Sequence, residues 1–116
     1  VKKDVLIIED DNDTGYLVAY VLKGAHYEVR RGASASDLEF ELSAKLPDVI
    51  LLDIMLPDGN GIDLCRKIKK SKLTSHIPVI IMSAHQSGNL EAARADGFIN
   101  KTFRIMEVIA SVKRVC

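Results

Sequence analysis

The chain has 116 residues, 47% of them hydrophobic, and its sixteen Lys and Arg balance sixteen Asp and Glu. A chain of this length makes one compact domain that buries about 65% of its unfolded surface, which excludes a multidomain machine and a disordered chain. Zero net charge supplies no global attraction for nucleic acid or an acidic membrane, so partners must be recognised locally.

Val5-Leu6-Ile7-Ile8 opens the chain as a short β-branched run ended by acids, the pattern of a strand buried on both faces. Leu17 and Val21 follow four apart and stack on one face of a helical segment. Tyr27–Val29 supplies a second short strand, and Leu38 and Leu42 mark a second helix. Pro47 introduces the strand Val49–Leu52, and Leu64 and Ile68 mark a third helix. Pro78 introduces the strand Val79–Met82, Phe98–Ile99 forms a fifth, and Ile105 and Ile109 mark the final helix. Buried strands alternating with amphipathic helices build βαβ units, so the expected fold is a five-stranded α/β sandwich with a parallel sheet covered on both faces. No linker, repeat or low-complexity tract divides residues 1–116, which are read as one domain.

No apolar run approaches the roughly 20 residues of a membrane helix, and no signal peptide is visible, so a cytoplasmic protein is expected. Cys65 and Cys116 lie far apart, without CxxC or Cys/His spacing, and are read as thiols in a reducing compartment.

Ligands of open parallel sheets bind beyond the carboxyl ends of the strands. Glu9-Asp10-Asp11 follow the first strand, Asp53 the third, Ser83 the fourth and Lys101 the fifth. Asp11, Asn12 and Asp13 also suit the start of the next helix, so capping accounts for Asp11 and Asp13. Glu9, Asp10 and Asp53 sharing one cleft would repel one another unless a cation neutralised them, and oxygen-only ligands suit magnesium. A hydroxyl and an ammonium beside such a site suit a phosphoryl group, with Asp53 as the carboxylate nucleophile in mid-cleft.

Ile7-Ile8-Glu9-Asp10-Asp11, Leu51-Leu52-Asp53-Ile54-Met55-Leu56-Pro57-Asp58-Gly59-Asn60-Gly61, Ile77–Ala84 and Asp96-Gly97-Phe98-Ile99-Asn100-Lys101 together resemble the CheY-like receiver domains of two-component response regulators. The resemblance runs in order over practically the whole chain. It implies a flavodoxin-like sheet of order 2-1-3-4-5, with Asp53 accepting a phosphoryl group from the phosphohistidine of a sensor histidine kinase or phosphotransfer protein. It assigns Glu9, Asp10, Asp53 and the carbonyl of Met55 to Mg²⁺, Ser83 and Lys101 to the phosphoryl group, and Ser83 and Phe98 to the switch. The face made by the fourth helix, fifth strand and fifth helix would then report to an output domain or partner protein, without direct nucleic-acid or membrane binding. In such a domain His85, two residues beyond Ser83, is placed to influence phosphoryl lifetime.

Three departures bear on this expectation. Thr102 stands where the family usually has a proline after a cis peptide, and a cis bond before a non-proline costs roughly 2.5–4 kcal/mol, so a trans peptide with a differently aimed Lys101 is expected. The stretch from Ser83 to Lys101 is about one helical turn short, which shortens the fourth helix within Gln86–Ala93. Arg94 replaces a common glycine. Of the remaining groups, Lys67, Lys69, Lys70 and Lys72 read as a solvated cluster, and Gly59 and Gly61 as turn glycines.

A receiver-like interaction module that is not phosphorylated is the alternative function. A turnover phosphatase would want an acid at Met55, and a nucleotide or flavin binder a glycine-rich loop after the first strand; both are absent.

Overall fold

A computed structural model describes residues 2–84 and 94–116. Seven strands and four helices follow one another among these residues. They are β1 (Asp4–Ile8), α1 (Asn12–Gly24), β2 (Glu28–Gly32), α2 (Ala35–Ala44), β3 (Val49–Asp53), β4 (Met55–Leu56), β5 (Gly59–Asn60), α3 (Gly61–Lys70), β6 (Val79–Ser83), β7 (Gly97–Asn100) and α4 (Ile105–Val115).

The main sheet is parallel and has the order β2-β1-β3-β6-β7. This is the 2-1-3-4-5 order of the sequence reading, once the small antiparallel hairpin β4-β5 is numbered separately. β1, β3 and β6 are wholly buried because their apolar runs meet helices on both sides. One face packs Leu6, Ile8, Ile50, Leu52 and Ile81 against Leu38 of α2 and Ile62, Cys65 and Ile68 of α3. The other packs Val5, Ile7, Leu51 and Met82 against Val18 and Leu22 of α1 and Val108 and Val112 of α4.

Side-chain caps set the helix starts. Asp11 accepts the Thr14 N–H at 3.2 Å, Ser34 accepts the Asp37 N–H at 3.1 Å, and Asn60 accepts the Ile62 N–H at 2.8 Å.

Several expectations need correction. The edge strand β2 runs on through Arg30 and Arg31, whose long stems suit a half-covered edge, instead of stopping at Val29. β3 and β6 include Asp53 and Ser83 as their last residues, so these side chains are held by strand backbone and not by a following loop. Leu17 and Ile105 are exposed; the buried stripes of their helices centre on Val18 and Leu22 and on Val108 and Val112.

Lys69 is not solvated. Its ammonium lies 2.6 Å from Asp96 Oδ2 and donates to the Ile77 carbonyl at 2.7 Å. No glycine among the described residues has positive φ. Gly61 is needed for close approach instead, since a Cβ there would lie 2.1 Å from the Asp53 carbonyl oxygen. Cys65 is buried and Cys116 exposed, both as thiols. Among the described residues no helix is long and apolar enough to cross a membrane. The shortened fourth helix expected within Gln86–Ala93, and His85, lie outside the described residues.

Candidate functional site

Parallel pairing brings the carboxyl ends of the central strands to one edge. Ile8 pairs with Leu52, Asp53 with Met82, and Ser83 with Asn100, so Glu9 emerges level with Asp53 and Lys101 emerges just beyond Ser83. Residues remote in sequence are thereby delivered to one place.

Glu9 and Asp53 are each only 2% exposed, whereas Asp10 points to solvent at the rim. One carboxylate oxygen from each of Glu9, Asp10 and Asp53 lies within 4.8 Å of the others. The Lys101 ammonium bridges the two buried acids, 2.8 Å from Glu9 Oε1 and 3.0 Å from Asp53 Oδ2. The remaining oxygens accept from backbone: Glu9 Oε2 from the Asp11 N–H at 3.1 Å and Asp53 Oδ1 from the Met55 N–H at 3.4 Å.

These contacts set the electrostatics. Burial pushes the Glu9 carboxyl up to about 7 against the opposing pull of Lys101 and the Asp11 N–H, with the Asp53 charge adding to the rise. Burial disfavours the charge on Lys101, but Glu9 and Asp53 more than offset it and hold the ammonium above the ordinary lysine value. Glu9 Oε1 and Asp53 Oδ2 are sealed from solvent, and the one ammonium is their shared neighbour. Among the described residues, three carboxylates against one ammonium leave the cleft short of positive charge, and their oxygen donors match what a hard divalent cation requires.

The hairpin after Asp53 is held close by Gly61, whose N–H donates to the Ile54 carbonyl at 2.7 Å. Asp58, at its tip, accepts the Ala35 N–H at 2.6 Å and the Ser36 N–H at 3.1 Å, tying the hairpin to the start of α2. Both backbone bonds hold the Asp58 carboxyl below the usual range. Met55 sits in this hairpin with its side chain in solvent, so only its backbone is turned to the cleft's business.

Ser83 ends β6, nearly buried, and its carbonyl accepts the Lys101 N–H at 2.8 Å. Phe98 pairs with Ile81 and packs, half-buried, on the α2/α3 side of the core. Despite Thr102, the Lys101 side chain reaches the cleft: no peptide among the described residues is cis, and the lysine still contacts both buried acids. Arg94 has φ 60°, the left-handed conformation that a glycine would adopt freely.

Sequence reading missed two supports of this site, Asp58 and Asn100. Asp58 stands in a Pro-Asp-Gly turn signal, which hides a capping partner 22 or more residues away. Asn100 Oδ1 accepts both the N–H and the hydroxyl of Thr102, and an Asn two residues before a Thr is the available local signal.

The family model of the response regulator receiver domain matches residues 5–113. Among curated proteins, the phosphate regulon transcriptional regulatory protein PhoB of Pseudomonas aeruginosa is 34% identical over 120 residues, covering 99% of this chain and 52% of that protein. The chain thus spans about half the length of the curated PhoB relatives it matches. Among solved structures, one assigned as a response regulator of Chloroflexus aurantiacus superposes with a TM-score of 0.93 at 29% identity, covering 99% of this chain and 98% of that one. The chemotaxis response regulator CheY4 of Vibrio cholerae superposes over 100% of both chains with a TM-score of 0.92 at 21% identity, a likeness of fold.

Proposed function

This chain belongs to the response regulator receiver domains, and from that premise we propose that Asp53 is its phosphoacceptor, taking a phosphoryl group from the phosphohistidine of a sensor histidine kinase or phosphotransfer protein. The observation that carries the reading is the Lys101 ammonium held between the buried carboxylates of Glu9 and Asp53. A buried carboxylate with an ammonium at its oxygen is a nucleophile whose product charge already has a partner.

In the transfer, an Asp53 carboxylate oxygen forms the new P–O bond. The donor's P–N bond breaks, its electron pair stays on the imidazole nitrogen, and that nitrogen takes up a proton. Lys101 then faces the added phosphoryl oxygens, and Ser83, at the adjacent strand end, supplies a hydroxyl to them. Return to the resting state needs a water to attack phosphorus, releasing inorganic phosphate and restoring the Asp53 carboxylate.

Glu9, Asp10, Asp53 and the Met55 carbonyl would hold Mg²⁺, which supplies charge neutralisation to the phosphoryl oxygens when bound. Converting the Asp53 carboxylate into an acyl phosphate of about −1.5 to −2 charge adds a net negative charge of at most about one, beside Glu9 and the ammonium that they share. That surplus is what would draw Ser83 inward, let Phe98 follow, and change the face that an output domain or partner protein reads.

The test is intact-protein mass after incubation with Mg²⁺ and acetyl phosphate, beside Asp53→Asn and a chelated control. One phosphoryl adduct is expected, absent from both controls. Magnesium binding without an adduct would sink the reading and favour an interaction module that is not phosphorylated.

A further inference from the structure

We propose that Asn100 is a positioning residue for phosphoryl transfer, acting through Lys101 by closing an Asx turn on Thr102. The proposal rests on the phosphoacceptor reading above and names the device that aims its lysine.

Lys101 must carry its ammonium from the end of an edge strand to two carboxylates on the central strands. A lysine stem is rich in rotamers and has no planar fork to pre-organise it, so its aim depends on the backbone from which it starts. On the N-terminal side that backbone is held by the bond from the Lys101 N–H to the Ser83 carbonyl at 2.8 Å. On the C-terminal side β7 has ended, and no strand or helix continues until Ile105. There Asn100 Oδ1 accepts the Thr102 N–H at 3.0 Å and the Thr102 hydroxyl at 2.9 Å. One side-chain oxygen thus clasps the residue after the lysine to the residue before it, and Lys101 is the centre of the turn.

Asn100 and Thr102 are exposed, so the clasp between them adds little to the core. Its consequence is local: without the clasp the peptide after Lys101 is restrained only from Phe103 onward, and the ammonium is held less firmly at its bridging position 2.8 Å from Glu9 and 3.0 Å from Asp53. Displacements of about 1 Å at such a position cost up to about 10²-fold in rate. Thr102 participates through its own N–H and hydroxyl, both of which a residue lacking them would remove.

The experiment follows the rate of the acetyl phosphate adduct by intact mass at saturating Mg²⁺. Variants are Asn100→Ala, Asn100→Asp, Thr102→Val and Lys101→Ala, with the Asn100→Ala/Lys101→Ala double variant closing a cycle. Asn100→Ala is expected to slow the adduct about tenfold, and Asn100→Asp, which keeps an acceptor oxygen, to recover most of that loss. Thr102→Val removes one of the two bonds, with an expected loss of about threefold, and keeps the test standing if the alanine variant folds poorly. In the Lys101→Ala background, Asn100→Ala is expected to cost nothing further, because the lysine it aims is gone. A full tenfold loss in that background, or an unchanged rate in the single Asn100 variant, overturns the proposal. Failure of the unmodified chain to take any adduct overturns the phosphoacceptor reading beneath it.

Discussion

The two ends of the sheet use the same residue types to opposite purposes. At the amino ends of the strands, Arg30 meets Asp4 at 2.8 Å and Glu41 at 3.0 Å, and donates to the Glu41 and Lys45 carbonyls. Nearby, Asp96 accepts the Val79 N–H at 2.9 Å while Lys69 caps the same oxygen and the Ile77 carbonyl. Charges there are matched by opposite charge and by backbone, so strands and helices are locked together. At the carboxyl ends, Glu9, Asp10 and Asp53 gather, and among the described residues the Lys101 ammonium is the cation that lies against the sealed oxygens of Glu9 and Asp53. One end is satisfied and stabilises; the other is left electrostatically incomplete, which is what the proposed chemistry requires.

The largest test of this contrast removes a charge from the satisfied end. Arg30→Met leaves Asp4 buried without its cation and frees two carbonyls, so a loss of about 3–4 kcal/mol is expected in urea denaturation, with the Mg²⁺ affinity of the cleft unchanged. An equal loss of Mg²⁺ binding would mean that the two ends are not separable.

Removing a charge from the incomplete end should act in the other direction. Glu9 titrates near 7 in the folded chain against an ordinary value of 4.5, so the folded state holds this proton more tightly than the unfolded state. Below 4.5 the ionisation cost is absent. It grows as pH rises through the window from 4.5 to about 7, so in chelator the stability falls across it by on the order of 2–3 kcal/mol. Glu9→Gln should abolish that slope and leave the chain more stable than its parent at pH 8, and denaturation midpoints at pH 4.5 and 8 decide the matter. Added Mg²⁺ should restore stability to the parent and not to the variant.

The smallest effect comes from a strained backbone position near the satisfied end, Arg94, one of two positive-φ residues with side chains among those described. Arg94 holds φ 60° just before β7, which costs roughly 1–2 kcal/mol for a residue with a side chain. Arg94→Gly relieves this and gives some of it back to the unfolded chain, for a net gain of about 0.5–1 kcal/mol in thermal or urea unfolding. A loss of stability would show that the arginine side chain does more at this position than its backbone costs.

Much of this architecture was legible without coordinates. Val5–Ile8, Val49–Leu52 and Val79–Met82 are apolar on every residue, a pattern that only strands covered on both faces require, and each proved wholly buried. Once the strands are parallel, the residues at their carboxyl ends must meet, which is why Glu9, Asp10, Asp53 and Lys101 could be grouped although they are spread from position 9 to position 101. Periodicity was less informative where two helices share a seam. Leu17 and Ile105 have apolar spacing but lie at the margin of their stripes, and whether a marginal position is covered depends on how the neighbouring helix leans.

What the sequence by itself determined is the five strands of the main sheet, though not the small β4-β5 hairpin, their order of chemistry along one edge, and the carboxylates that gather there, because these follow from local hydrophobic pattern and the connectivity of a parallel sheet. Tertiary structure alone decided the pairings that cross the chain: Lys69 with Asp96, Arg30 with Asp4 and Glu41, and Asp58 with the start of α2. A lysine in a basic run looks the same whether it is solvated or clasped, since its fate depends on what packing brings within about 3 Å of its ammonium. The aim of Lys101 belongs to the same class. The sequence names the residue, but the distance from its nitrogen to two buried oxygens is set by a strand end, a turn and the register of the sheet.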